Sequence, residues 1–460
     1  MIDTGTIAAI ATPVGEGGIG IIRISGDDAV DIAQRIFRKP SGSSINLTNQ
    51  ESHTLIYGNV VDGDRVIDDV LLAWMKGPNT YTREDTVEIS CHGGPLPMRE
   101  VLRVALAAGA RPAERGEFTL RAFLNGRLDL TQAEAVLNVI GAQTSESLRL
   151  AVNDLAGDLS ARLQPASSAL VRLLAYLDAS ADFPDDEIET SDIPEGLNTA
   201  EAALADVIAG AESGMLYRDG ATVALVGRPN VGKSSLLNAL LRSDRSIVTP
   251  IAGTTRDVIR ESINLGGIAA TLLDTAGIVE TNDPVERIGV ERSRQALATA
   301  ALVAFVIDGS ESPSADDLEI AQVLANRPND QRTPVIMIIN KQDLAQQSQR
   351  ALQDLLPDAQ VVHVSANTGD GIGSVESTLH SMLASDAGVQ PSLVNARQRS
   401  ALDRAYAHVQ DAIAAHDSGI PQDLLATPVR AALHAVGEVT GENVDEAVLL
   451  EIFSTFCIGK

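Results

Sequence analysis

A chain of 460 residues, 44% of them hydrophobic, is long for a single core and predicts two or three domains. Its 35 Lys and Arg against 62 Asp and Glu leave a formal net charge of −27, which excludes a broadly basic nucleic-acid-binding face. Two cysteines, Cys91 and Cys457, cannot build a disulfide framework, and no apolar run approaches the roughly 18 residues of a membrane helix, so composition points to a soluble cytoplasmic protein without a signal peptide. Arginine supplies nearly all the positive charge. The lysines are Lys39, Lys76, Lys233, Lys341 and Lys460, as though lysine were kept where a compact ammonium is needed.

Residues 19–24, 54–61, 66–75 and 86–90 have strand character, and 95–108 places Leu96, Val101, Leu102 and Leu106 on one side of a helix. Asp62-Gly63, Gly77-Pro78 and Gly93-Gly94 mark turns between them, which together read as α+β. Thr131-Gln132-Ala133-Glu134 reads as a capping box opening a helix with Val136, Leu137 and Ile140 inward. Ala- and Leu-rich helical segments follow, broken by an acidic turn at 183–187. An α/β pattern then gives way to helix again, with Leu402, Tyr406, Val409 and Ile413 recurring on one face and a last helix over 444–453.

Four segments inside the α/β pattern act on one ligand. Gly-Arg-Pro-Asn-Val-Gly-Lys-Ser at 227–234 fits a P-loop, between the apolar run 221–226 and a helix at 235–241. Backbone N–H groups of Asn230, Val231, Gly232, Lys233, Ser234 and Ser235 can wrap phosphate oxygens, Lys233 can reach the β- and γ-phosphates, and Ser234 can ligate Mg²⁺. Asp274-Thr275-Ala276-Gly277 follows the run 269–273 and supplies a carboxylate toward Mg²⁺ and a glycine that senses the γ-phosphate. Asn340-Lys341-Gln342-Asp343 ends the run 335–339, and Asp343 can accept two hydrogen bonds from guanine that adenine cannot offer. Ser365-Ala366-Asn367 ends the run 361–364 and supplies the backbone side of the base pocket. One such segment is a common surface turn; four in order, each after a strand-like run, define GTP as the ligand.

The residue after Asp-x-x-Gly is Ile278, which cannot orient water as a glutamine does in Ras-type GTPases. Two other devices are visible. The Asn230 oxygen could coordinate a monovalent cation beside the phosphates, with backbone carbonyls from the loop 249–254 as further ligands. A carboxylate at Glu286 could orient the attacking water, or could be a solvated charge at a helix start. The loop Gly253-Thr254-Thr255-Arg256-Asp257 places Thr255 to complete the Mg²⁺ shell.

The P-loop, Gly-Thr-Thr-Arg-Asp and Asp-Thr-Ala-Gly resemble the translation-factor-like GTPases with a potassium-dependent domain. Outside them, Thr6-Ile7-Ala8-Ala9-Ile10-Ala11-Thr12-Pro13, the run 17–26, Gly116-Glu117-Phe118-Thr119, Arg121-Ala122-Phe123-Leu124-Asn125-Gly126 and Phe456-Cys457-Ile458-Gly459-Lys460 resemble the MnmE (TrmE) family over essentially the whole chain. The resemblance implies a multidomain fold: an α+β N-terminal folate-binding and dimerisation domain over 1–120, an all-α helical domain from 121–216 and 386–460, and an inserted α/β P-loop GTPase domain over 217–385. It implies a tRNA-modification GTPase that works as a homodimer with the FAD-bearing MnmG on the wobble uridine of certain tRNAs. A reduced folate, 5-formyl- or 5,10-methylene-tetrahydrofolate, would supply the one-carbon unit and meet Arg23, Glu88, Arg127 and Lys460. The implied K⁺ ligands are Asn230, Thr249, Ile251 and Thr254, the Mg²⁺ ligands Ser234 and Thr255, and the catalytic group Glu286 with Lys233 and Asn230. The implied nucleotide contacts add Pro250, Ala252 and Gly253 to the segments above. Cys457 could be a nucleophile, lie beside the folate or serve packing; Cys91-His92 is too small a cluster for a metal.

The chain departs from the family at Glu16, where a cation is common near the folate region, at Arg127 in place of lysine, and at Asn367 in place of a basic residue. A ribosome-assembly GTPase acting as a binding switch is the rival class, and it predicts a basic RNA-binding appendage that the sequence does not show. A bare signalling switch leaves residues 1–120 and the last four residues unexplained.

Overall fold

The structure, a computed structural model, describes residues 5–182, 192–242, 260–274, 297, 299–327, 333–384 and 390–460. Its contacts divide into two compact units: residues 1–137, 155–160 and 430–460, and residues 138–154 and 161–429. Among the described residues no helix is long and apolar enough to cross a membrane.

The first unit is built on a sheet of β1 (Ile7–Ile10), β2 (Ile19–Ser25), β3 (Phe37–Arg38), β4 (Thr54–Asp62), β5 (Arg65–Met75), β6 (Thr86–His92) and β7 (Arg111–Pro112). Their order is β3-β4-β5-β6-β2-β1-β7, and every pair is antiparallel except β1 with β7. Period-two alternation sends Ile22, Ile24, Val70, Leu72, Trp74, Val87 and Ile89 to one face, which the helices Ala29–Ile36 and Pro95–Ala107 cover with Ile32, Ile36, Met98, Val101 and Val104. The opposite face carries Arg23 and Glu88, and further out the exposed Leu55, Tyr57 and Leu71.

Buried charges lock the helix Glu117–Leu124 to this unit. Arg121 donates to Glu117 at 2.9 Å, to Glu84 at 3.0 Å and to the Gly5 carbonyl at 2.7 Å, while Arg111 holds Glu117 from the other side. Burial pushes the Glu117 carboxyl up, but the Arg111, Glu114 and Arg121 donors overcome it and hold the group below the usual carboxylate range. Leu120, Leu130, Ala133, Val136, Leu449, Phe453 and Phe456 form a second cluster, joined by the helix Glu446–Ser454, which the sequence places over 444–453.

The helix expected to open on Thr131 begins earlier, at Leu130. Asp129 supplies the cap, since its carboxylate accepts from Gln132 N at 2.8 Å and Gln132 Oε1 accepts from Asp129 N at 3.0 Å. An aspartate two residues upstream captures the free amide, and Thr131 instead donates to Asp129 at 2.6 Å. Ile140, read as inward, is 50% exposed in the last turn of this helix, which ends at Gly141.

The second unit contains a sheet of β8 (Ala221–Val226), β9 (Arg260–Leu265), β10 (Ile268–Asp274), β11 (Leu302–Asp308), β12 (Val335–Asn340) and β13 (Gln360–His363) in the order β13-β12-β11-β8-β10-β9. All pairs are parallel except β9 with β10. Every residue of β11 is buried, as expected for a strand covered on both faces. The helices Lys233–Arg242 and Ile372–Leu383 pack on one face, and Ala315–Ala325 and Arg350–Leu355 on the other. In the same unit the helix Ile193–Asp219 packs along Ala396–Asp417, with Tyr406 and Gln410 both donating to Glu201. Gly210 and Gly214 let the backbone at Ser392 lie against that helix: a Cβ on Gly214 would overlap the Ser392 carbonyl. The carboxyl ends of β8, β10, β11 and β12 therefore share one edge, which a parallel sheet makes the place for a ligand.

Candidate nucleotide and N-terminal sites

The buried run of β8 delivers Gly227, and the helix Lys233–Arg242 leaves the loop with its first turn toward the phosphate position. Gly227 (φ 155°) and Gly232 (φ 97°) adopt backbone that side chains resist, and a Cβ on Gly227 would stand 2.3 Å from the Val306 carbonyl. Asn230 is left-handed (φ 64°), and its exposed side chain makes no hydrogen bond among the described residues. Lys233 Nζ donates to the carbonyls of Gly227 at 2.8 Å and Arg228 at 3.0 Å. Ser234 and Ser235 sit exposed in the first helical turn, and Val231 is buried.

The base side is crossed by side-chain bonds. Asn340, 2% exposed at the end of β12, donates from Nδ2 to the Val231 carbonyl at 2.8 Å and accepts the Ala366 amide on Oδ1 at 3.0 Å. One amide thus joins the P-loop to the 365–367 segment. Asp343 is exposed, with Oδ1 accepting the Ser365 hydroxyl at 2.6 Å, and Ser365 in turn accepts the Thr368 amide at 3.2 Å. Lys341 is left-handed (φ 62°) and its ammonium binds Asp308, while Asn367 is exposed. Burial pushes the Asp308 carboxyl up, but Lys341 and both donors of Ser310 hold it below the usual range. The sequence reading passed over Asp308, although it ends a strand on the same edge as Asn340, its direct neighbour across the β11–β12 ladder.

Thr249, Pro250, Ile251, Ala252, Gly253, Thr254, Thr255, Thr275, Ala276, Gly277 and Glu286 lie outside the described residues, as does the side chain of Asp274; the Asp274 backbone pairs with Leu225.

In the first unit, β2 and β6 set Arg23 opposite Glu88, and the two form an ion pair at 2.8 Å. The Arg23 guanidinium lies 5.8 Å from the Tyr81 ring centre and 5.6 Å from that of Phe118. Arg127 covers Tyr81 at 4.8 Å and donates to its carbonyl at 3.0 Å. The last residues run onto the same face. Arg115 pairs with Ile458 and donates to Phe456 O at 3.1 Å, and Arg23 donates to Gly459 O at 3.4 Å, which brings the partly buried Lys460 beside it in sequence. Tyr81 and Arg115 carry no motif, so the sequence reading missed them, and Phe118 stood there only as part of Gly116-Glu117-Phe118-Thr119, with no place at the site. Cys457 is exposed, whereas Cys91 is buried against Gly20 and desolvation pushes its thiol up to about 11. His92, on the other side of the strand, pairs with Asp68 at 2.7 Å, and no cluster of three or more His, Cys, Asp or Glu that could hold a metal occurs among the described residues.

A phosphate loop and an Asn-Lys-x-Asp element, bonded to each other at the carboxyl edge of a parallel sheet, define a P-loop guanine-nucleotide-binding protein. Residues 6–127 match the family model of the GTP-binding protein TrmE N-terminus, and residues 130–457 match that of the MnmE helical domain. Proteins described as tRNA modification GTPase MnmE are similar over their full length. The one from Roseiflexus castenholzii is 50% identical over 470 residues, 99% of each chain, that from Roseiflexus sp. strain RS-1 is 49% identical over 472 residues, 100% of each, and that from Heliobacterium modesticaldum is 45% identical over 470 residues, 99% of each. The chain belongs to the MnmE family of tRNA modification GTPases.

Proposed function

We propose that this chain is a K⁺-dependent GTP hydrolase that acts with MnmG on the wobble uridine of tRNAs in the cytoplasm, using a reduced folate as one-carbon donor. The observation that carries the nucleotide part is Asn340, whose two amide bonds clasp the phosphate loop to the base loop beside Asp343. Lys233 is tethered to carbonyls of its own loop, within reach of a β- or γ-phosphate. The donor set fits the expected ions. Asn230 offers an oxygen that makes no hydrogen bond among the described residues, in a loop bent by left-handed backbone, and Ser234 places a hydroxyl in the first helical turn. Asn230 would hold K⁺ with carbonyls of Thr249, Ile251 and Thr254, and Ser234 and Thr255 would hold Mg²⁺. The bound ions would supply positive charge where the bridging and γ-phosphate oxygens gain negative charge. Glu286 is assigned to orienting the water, since Ile278 cannot.

For the folate, Arg23 and Arg127 offer guanidinium groups to carboxylates, Glu88 accepts from a pterin amine, and Tyr81 and Phe118 give flat apolar walls. Lys460 would join them. Exposed Cys457 is assigned to the edge of this site rather than to packing, which Phe456 performs. The exposed Leu55, Tyr57 and Leu71 on the same sheet face support homodimer formation through residues 1–120. The packing of Ile193–Asp219 on Ala396–Asp417 supports a helical domain of 121–216 and 386–460 into which 217–385 is inserted.

Two measurements test this reading. GTP turnover is expected to rise about tenfold or more when K⁺ replaces Na⁺, and Asn230→Ala to erase the difference. Equal rates in the two salts for the unmutated protein refute the cation assignment. Mass analysis of wobble uridine in tRNA from cells lacking this protein is expected to show loss of the aminomethyl-type group at C5; intact modification refutes the tRNA role.

A further inference from the structure

The loop leaving β11 ties the base end of the nucleotide site to the phosphate end. Asp308, 4% exposed, binds the Lys341 ammonium with one oxygen and accepts the Ser310 amide at 3.0 Å and hydroxyl at 2.6 Å with the other. Further along the loop, Glu311 accepts from Arg228, the second residue of the P-loop. Arg228 Nε also lies 3.2 Å from Asp317, a carboxylate fixed in the capping box of the helix Ala315–Ala325. The backbone anchors the loop as well. Gly309 N donates to Asn340 O at 2.9 Å, Gln347 N to Gly309 O at 2.8 Å, and Gln349 Nε2 to Glu311 O at 2.9 Å. A Cβ on Gly309 would stand 2.9 Å from Asn340 O, so the approach requires glycine. The Arg228 carbonyl at the far end is one of the two that hold Lys233.

We propose that Asp308 and Glu311 are positioning residues for GTP, Asp308 acting through Lys341 at the nucleoside end and Glu311 acting through Arg228 on the P-loop. The inference rests on the GTP reading above and adds a fifth element to its four segments. Its physical basis is preorganisation. Lysine and arginine lose much rotamer freedom when they are ordered, and a carboxylate that orders them beforehand removes that cost from nucleotide binding.

The experiment uses the full chain, a fluorescent GDP analogue for affinity, and steady-state GTP hydrolysis. Asp308→Asn keeps shape and removes charge. It is expected to raise both the GDP Kd and the GTP KM about tenfold with kcat within about twofold of the unmutated value. Because Asp308 acts through Lys341, Asp308→Asn with Lys341→Met is expected to bind no worse than Lys341→Met alone. Glu311→Gln is expected to raise KM about threefold. An unmutated protein that binds GDP beside an Asp308→Asn variant with unchanged KM overturns this inference alone, as do losses that multiply in the double variant. An unmutated protein that does not bind GDP overturns the GTP reading and this inference together. If Asp308→Asn does not fold, Ser310→Ala removes one bond to the carboxylate and is expected to show the same split more weakly; an unchanged KM there overturns the proposal.

Discussion

Asp343→Asn is expected to turn a guanine site into one that prefers xanthine. Guanine presents two donors, its ring N–H and its 2-amino group, and an ionised carboxylate presents only acceptors. An asparagine side chain offers one acceptor and one donor, which suits a base with oxygen in place of the amino group. The Ser365 hydroxyl, 2.6 Å from Asp343 Oδ1, orients the side chain and can bond an amide oxygen equally well, so the substitution keeps the geometry and changes only the pattern. Two charge-assisted hydrogen bonds are lost, and GTP affinity is expected to fall about a hundredfold or more. Competition of GTP and xanthosine triphosphate for the variant checks this; retained preference for GTP would remove Asp343 from base recognition.

Gly459→Ala is expected to release the last residues from the sheet. Gly459 is buried with φ 92°, and a Cβ there would stand 2.3 Å from Ile10 O and 3.0 Å from Ala11 Cα. Backbone atoms of a paired strand cannot yield as a flexible side chain can, so the tail must move. Arg23 then loses the Gly459 carbonyl, and Lys460, the next residue, moves with the released tail. Reduced-folate affinity is expected to fall about tenfold or more, with GDP affinity unchanged. Calorimetric titration of 5-formyl-tetrahydrofolate into both proteins decides it, and equal affinities would separate the tail from that site.

Not every expectation drawn from local pattern survived contact with the fold. The strands 54–61 and 66–75 and the helix 95–108 were recovered within two residues at each end, because each follows its own periodicity. Thr131 failed as a cap because Asp129, two residues earlier, takes the Gln132 amide and opens the helix at Leu130, before Thr131 could cap the Glu134 amide. The strand β11 passed unread although all its residues are buried: a short apolar run has no period of its own, and no nucleotide motif follows this one as it does the runs 221–226 and 335–339. Edge strand β9 was missed as well, because its antiparallel partner alone defines it.

The nucleotide segments were legible because each is a contiguous stretch whose backbone shape and side-chain chemistry are local: a glycine-bent loop for phosphate, a carboxylate after a strand for guanine. The order and spacing of those stretches were enough to name the ligand. Distance along the chain hid the rest. Lys341 and Asp308 are 33 positions apart, Arg23 and Glu88 65, and Arg23 and Gly459 436. An ion pair or a docked tail of that kind leaves no periodic trace, since it exists only once strand register and sheet order have carried the two partners to the same edge.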